Sequence, residues 1–365
     1  MTGKPKLTVA ILFGGKSAEH EVSLQSAKNV YAYIDKKKFT PILIGISKNG
    51  EWLLENDSQF LLNEKNPKLI ALNKTGESVA LIPQSNGAIT NLSNPLVKKS
   101  IDVVFPVLHG PFGEDGTVQG LLKLANIPFV GPSVLGSAVG MDKDVMKRLL
   151  RDAGIPIADF IVLKKGESQS FTDVTKKLGL PLFIKPANLG SSVGVSKVTN
   201  EKEYTKAIEE AFLFDRKIII EEFVDGREIE CAVLGNDHPQ ASIPGEVTST
   251  HDFYSYEAKY IDENGATVMI PASITDKEKK KIQEMAIKTF TTLCCEGLGR
   301  VDSFLTKNGK VLVNEINTIP GFTAISMYPK LWQASGISYT DLITKLIELA
   351  VSRFNEEKKL QTSYI

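Results

Sequence analysis

Apolar residues fall in short continuous blocks separated by stretches with helical spacing. The opening block, LTVAILF at 7–13, reads as a strand buried on both faces. A Gly-rich turn follows, then helical spacing over 23–34, then a second block, PILIGIS, at 41–47. IDVVFPVLHG at 101–110 supplies a further strand. Strands alternating with helices predict a parallel α/β layer. Residues 49–100 are rich in Asn, Lys, Ser and Gly and read as an elaboration of that layer.

A boundary is expected near Gly131-Pro132. Beyond it, MDKDVMKRLLRDAG predicts a helix with Asp142 near its start and Gly154 after its end. Two strands, LPLFIKPA and VGVSKV, flank the loop NLGSSVG, and a helix follows over 201–213. The remainder is strand-rich through EIECAVLG, ASIPGEV and TVMIPA. A helix over 276–293, a hairpin over 298–317 and a last helix over 339–357 complete it. The expected division is 1–131, 132–220 and 221–365. No fixed-period repeat is visible, which disfavours a solenoid.

Composition narrows the function classes. A length of 365 residues suits two to three domains, and 42% hydrophobic with 24% charged residues is ordinary for a globular chain. Lys plus Arg and Asp plus Glu are both 43, so neither a nucleic-acid nor a membrane-surface partner is expected. Three cysteines, two of them adjacent, cannot build a disulfide framework, so a reducing compartment is expected. The N-terminal apolar run is too short to span a bilayer. The expectation is a soluble cytoplasmic protein.

Several motifs invite chemistry. Gly14-Gly15-Lys16-Ser17 lacks the earlier glycine of a phosphate loop, because Ala10 stands there. A helix start after a strand can still hold a small ligand, and Glu19 and Glu21 sit in that first turn. Gly190 to Gly194 matches G-x-S-x-G, but the β-branched residues after it make a strand rather than the helix a nucleophile elbow needs. A Gly/Ser loop between antiparallel strands, with Lys185 on the entering strand, suits phosphates instead. His109 opens HGPFGEDG at a strand end, where open α/β sheets bind ligands. The four histidines show no metal-ligand spacing.

RVDSFLTKNGKVLVNEIN is the most informative stretch. Asn308-Gly309 predicts a two-residue hairpin turn. Pairing about that turn sets Asp302 opposite Glu315 and Arg300 opposite Asn317. These four share one face, with Phe304 and Val313 nearer the turn. Two facing carboxylates repel, and a divalent cation removes the cost. Carboxylate and amide oxygens suit Mg²⁺, and Arg300 beside them suits an anionic oxygen.

The stretches GGKSAEHEVS, HGPFGEDGTVQG, MDKDVMK, FIKPANLGSSVGVSKV, IIIEEFVDGREIECAVLGN, DFYSYEAKY, GRVDSF and VNEINTIPGFTAISMYP resemble the D-alanine–D-alanine ligases of the ATP-grasp superfamily. The resemblance runs over nearly the whole chain. It implies an N-terminal parallel α/β domain and two α+β domains enclosing a nucleotide. It also implies ligation of two D-alanines through an acyl phosphate, with ATP cleaved to ADP and phosphate, for peptidoglycan precursor synthesis. Cofactors would be ATP and two Mg²⁺ or Mn²⁺ ions, and the assembly commonly a homodimer.

The same resemblance implies roles. The adenine would meet the backbone of Glu222 and Val224, with Glu221 beside it and Glu228 on the ribose. Lys143 and Lys185 would bind phosphates under the lid residues Ser191 and Ser192. Phe183, Phe223, Phe253 and Asn314 complete the ATP pocket. Asp302, Glu315 and Asn317 would hold the metal. Glu19 would hold the ammonium of the first D-alanine. Arg300 and the backbone of Gly321 would form the oxyanion site. Ser326, Met327 and Lys259 would hold the second carboxylate, and His109 would line the pocket. The aromatic segment 253–260, with Tyr254, Tyr256 and Tyr260, would close over the site. Alternatives are a D-lactate- or D-serine-using ligase, another ATP-grasp carboxylate–amine ligase, and a non-catalytic nucleotide-binding regulator.

Overall fold

Among the described residues, three main sheets each carry helices packed on them. The computed structural model describes residues 5–55, 60–64, 66, 69–96, 98–249, 266–361 and 363. The first sheet opens with β1 (Leu7–Gly14), helix α1 (His20–Tyr33) and β2 (Phe39–Ile46). It continues with β3 (Trp52–Glu55), then β6 (Glu77–Leu81), β7 (Ala88–Asn91), β8 (Lys98–Ser100) and β9 (Val103–Pro106). β4 (Leu61–Leu62) and β5 (Ala71–Leu72) pair apart from it. The order is β8-β7-β6-β3-β2-β1-β9. β1 is parallel to both β2 and β9, as its apolar run requires; Val9 to Phe13 are at most 1% exposed. The polar stretch after residue 49 adds β3, β6, β7 and β8 as an antiparallel flank.

After α2 (Thr117–Leu124) and α3 (Val134–Met141), α4 (Lys143–Asp152) begins on the N-cap Asp142, whose carboxylate accepts from the N–H groups of Asp144 and Val145. Then come β10 (Phe160–Lys164), α5 (Phe171–Leu178), β11 (Leu182–Pro186), β12 (Ser196–Val198), α6 (Glu201–Phe214) and β13 (Lys217–Glu222). The four strands form an antiparallel sheet, β10-β13-β11-β12, with its own core against α5 and α6. β13 crosses the division expected after residue 220 and belongs wholly to this central sheet.

The third sheet joins β14 (Gly226–Gly235), β15 (Gln240–Ala241), β16 (Gly245–Ser249), β17 (Ala266–Met269), β18 (Gly297–Thr306) and β19 (Val311–Asn317). α7 (Asp276–Thr292) covers one face and starts with a capping box between Thr275 and Glu278. α8 (Met327–Ala334) and α9 (Tyr339–Glu357) cover part of the other and merge with the core of the first domain. Arg353 of α9 ties them further, donating to the carbonyls of Gly131 at 2.6 Å and Phe129 at 3.0 Å.

The β18–β19 hairpin corrects one expectation. Thr306 N–H bonds the carbonyl of Lys310 at 2.9 Å, so the loop is three residues, 307–309, with Gly309 at φ +75°. Near the tip Phe304 therefore pairs with Leu312 rather than Val313. A bulge between Asp302 and Ser303 takes up the extra residue, Asn314, and restores Asp302 opposite Glu315 and Arg300 opposite Asn317. Val313 turns into the core at 0% exposed, and Asn314 takes its place on the polar face.

Candidate active site

The central and third sheets face each other across a cavity of about 420 Å³. Period-two alternation sends Leu182, Ile184 and Ile220 into the core against the helices and puts Phe183, Lys185 and Glu221 on the cavity wall. Glu222, Phe223, Val224 and Glu228 line it where β13 runs into β14, and Asp302, Asn314 and Glu315 line it from the hairpin. The expected ATP residues that lie among the described residues thus converge.

Lys143 enters from the first position of α4. Its backbone N–H donates to the Ala187 carbonyl at 3.0 Å and its ammonium to the Leu189 carbonyl at 2.6 Å. The same ammonium lies 3.4 Å from Glu315. Ser191 and Ser192 hold φ of +52° and +59°, a left-handed pair that bends the Gly-rich loop around the cavity.

Behind the wall is a buried triad. Lys147 Nζ lies 2.5 Å from Glu221 Oε1, and Lys185 pairs with Glu221 Oε2. Burial raises the Glu221 pKa, but the two lysines outweigh it and hold the carboxyl below its usual value. Burial lowers the Lys147 pKa further than Glu221 restores it. For Lys185 burial is outweighed by Glu221 and Glu315, and the net shift is upward.

A smaller cavity of about 120 Å³ adjoins the first, and Gly190, Ser191, Glu230 and Glu315 line both. Here Glu19, His109, Arg300, Asn317, Gly321, Ser326 and Met327 come together. Ser191 Oγ donates to Glu19 Oε1, joining the Gly-rich loop to the first domain. Gly321 is confined: a Cβ there would lie 2.7 Å from Ser326 Oγ. Ser326 is the N-cap of α8 and lines the cavity with Met327, the first residue of that helix, so a helix N-terminus that suits an anion borders it.

Arg300 sits among acids. Its Nε and Nη2 donate to Asp302 Oδ1 at 2.8 Å and Oδ2 at 2.7 Å, and Nε lies 2.9 Å from Glu230. Burial alone would lower its pKa; Asp302 and Glu230 more than offset this and raise it well above the usual range. Asn317 Nδ2 donates to Asp302 Oδ2 at 3.0 Å. The repulsion expected between Asp302 and Glu315 is thus relieved within the chain, by Arg300 on one and Lys143 on the other.

His109 braces the site. Its Nδ1 is 3.0 Å from the Ile319 carbonyl, which cannot donate, so the proton sits on Nδ1 and Nε2 accepts from Ser26 Oγ at 3.2 Å. Burial lowers its pKa, which keeps this neutral form. Glu114 accepts from Gly110 N–H at 2.8 Å and Ile319 N–H at 3.2 Å. Burial, then the nearby Glu19 charge, push Glu114 up to about 8. The sequence reading missed Lys147, Glu114 and Glu230. All three lie inside motifs it singled out, yet nothing in their spacing marked them as buried. Phe253, Tyr254, Tyr256, Lys259 and Tyr260 lie outside the described residues.

The comparisons with known proteins agree over the whole chain. A family model for the D-ala D-ala ligase N-terminus matches residues 8–132, and one for the C-terminus matches 149–348. The D-alanine–D-alanine ligase of Shouchella clausii is 57% identical over 361 residues, covering 98% of each chain. The solved D-alanine–D-alanine ligase of Coxiella burnetii superposes at a TM-score of 0.83 with 39% identity, covering 97% of this chain and 98% of its own. The VanG D-Ala:D-Ser ligase of Enterococcus faecalis reaches the same 0.83 at 38% identity, covering 95% of this chain and 100% of its own. With 57% identity over 98% of the chain and family models matching 8–132 and 149–348, the chain belongs to the D-alanine–D-alanine ligase family.

Proposed function

We propose that this chain joins two D-alanines, using ATP, and that the two adjoining cavities divide the work. The observation that carries this is the junction at Ser191 and Glu315, where a nucleotide-sized cavity opens onto a small one holding a carboxylate, a guanidinium and a helix N-terminus. In the large cavity the base meets the backbone of Glu222 and Val224, which line its wall. Glu221 flanks the base, Glu228 takes the ribose, and Lys143 and Lys185 take the phosphates.

In the small cavity Glu19 holds the ammonium of the first D-alanine. The carboxylate of that D-alanine is a poor electrophile until ATP converts it to an acyl phosphate. Lysines beside the transferring group stabilise its charge. The amine of the second D-alanine then attacks, its carboxylate held at Ser326 and Met327. Arg300 and the Gly321 N–H stabilise the oxyanion.

Asp302, Glu315 and Asn317 fit Mg²⁺ or Mn²⁺, two ions in our reading, since their donors are hard oxygens on one face. Among the described residues no three His, Cys, Asp or Glu side chains are grouped to hold a metal by themselves. Phosphate oxygens and water would complete the set, as is usual for Mg²⁺. When bound, the cation neutralises charge on the phosphates. We place the enzyme in the cytoplasm, as a homodimer; among the described residues no helix is long and apolar enough to cross a membrane.

The test is phosphate release from ATP with D-alanine alone, with L-alanine, and with D-alanine plus D-lactate or D-serine. Turnover with D-alanine alone, and none with L-alanine, is expected. Turnover that requires D-serine or D-lactate would instead assign a different second substrate, which equal likeness to the D-Ala:D-Ser ligase fold leaves open to measurement.

A further inference from the structure

The third sheet carries three carboxylates on one rung. Glu230 of β14 pairs directly with Asp302 of β18, and Asp302 pairs directly with Glu315 of β19. Like charges opposite one another destabilise a sheet. Glu230 is nevertheless 8% exposed, and it lines both cavities. Such a buried carboxylate persists only beside a compensating charge. Arg300 supplies it: Nε lies 2.9 Å from Glu230 and donates to Asp302 at 2.8 Å.

We propose that Glu230 is a positioning residue for Arg300, holding the guanidinium at the acyl oxygen while Asp302 serves the cation and phosphates. Asp302 lies in the middle of the rung and is claimed from both sides. Its oxygens face Arg300, and it is also a cation donor with Glu315. Any cation at Asp302 draws charge away from Arg300. Glu230 lies on the side of Asp302 away from Glu315, so it remains the counter-ion of Arg300 through the reaction. A bidentate grip from Asp302 alone would leave the guanidinium free to swing as that grip weakens; a second carboxylate 2.9 Å from Nε holds it there by charge. The inference rests on the oxyanion role given to Arg300 under the proposed function.

The experiment compares Glu230→Gln, Glu230→Asp, Arg300→Lys and the double variant Glu230→Gln/Arg300→Lys in the full chain, with ATP, D-alanine and Mg²⁺. Glu230→Gln should lower kcat by about tenfold to a hundredfold, less than removal of an oxyanion donor outright. KM for ATP and the Mg²⁺ half-saturation should stay within about twofold, because Glu230 holds neither the nucleotide nor the cation. Glu230→Asp should lose an intermediate amount. In the Arg300→Lys background the Glu230→Gln change should cost little more, since the group it positions is gone. Wild-type kcat in Glu230→Gln beside a slow Arg300→Lys overturns the positioning role. Wild-type kcat in Arg300→Lys overturns the Arg300 reading itself. If Glu230→Gln loses its melting transition, Glu230→Asp decides: lowered kcat with unchanged KM supports the role, and unchanged kcat overturns it.

Discussion

Ser191 and Glu19 stand 172 positions apart, and the serine hydroxyl donates to the glutamate. One belongs to the loop beside the nucleotide cavity, the other to the N-cap of α1 in the first domain. The charge we propose as the ammonium anchor is therefore coupled to the loop beside the nucleotide cavity. Glu19→Gln should raise KM for the first D-alanine by about 30-fold or more, the equivalent of about 2 kcal/mol. KM for ATP should barely move. Initial rates with each substrate varied in turn measure both; an unchanged D-alanine KM removes Glu19 from the site.

Asp302 and Glu315 are each paired with a cation of the chain, so neither needs a metal for folding. Asp302→Asn and Glu315→Gln should accordingly still fold without added metal, melting below wild type because each leaves a chain cation short of one partner. They should still lose about a hundredfold or more in kcat, the scale of a lost electrostatic contact to the transition state. Raising Mg²⁺ should recover part of the loss. ATP turnover against Mg²⁺ concentration checks this, and wild-type turnover with unchanged metal dependence in both variants would place the metal elsewhere.

Glu114 predicts a pH effect of definite sign. Its carboxyl is raised from 4.5 to about 8 in the folded chain. Its contribution to stability is then present in full below about pH 4.5 and is lost as pH rises through about 8. Glu114→Gln keeps an oxygen acceptor and removes the titration. Melting temperature should fall more steeply from about pH 5 to pH 8 in wild type than in the variant. Parallel curves would show that Glu114 is ionised throughout.

Lys147 is 1% exposed at its side chain and 2.5 Å from Glu221. Lys147→Met fills the same space without the charge and leaves Glu221 with Lys185 as its remaining partner. Breaking one side of a buried ion pair costs about 3–5 kcal/mol. Because Lys185 persists, the lower end is expected, read by chemical denaturation. Adding Glu221→Gln should cost further stability, since Lys185 then loses the same partner. A single variant as stable as wild type would contradict the buried pair.

What the sequence determined by itself was local or periodic. The two-sided apolar run of β1 marked a central parallel strand. The spacing before Gly154 and across 339–357 marked α4 and α9. Alternation in the hairpin picked out Arg300, Asp302, Glu315 and Asn317 as one patch, although the turn it assumed was one residue too short. Two errors of register cancelled there, because the bulge at Asn314 undid the shift made by the longer loop. Only the tertiary structure decided what those residues face. Lys147 looks like any helix lysine until the fold sets its ammonium against Glu221 of β13, and Glu230 looks like an exposed strand residue until Arg300 folds over it. Neither fact is periodic: each depends on which element comes to lie opposite. β13 likewise went to the central sheet through pairing with β10 and β11, a choice of long-range partner that its own apolar pattern does not specify.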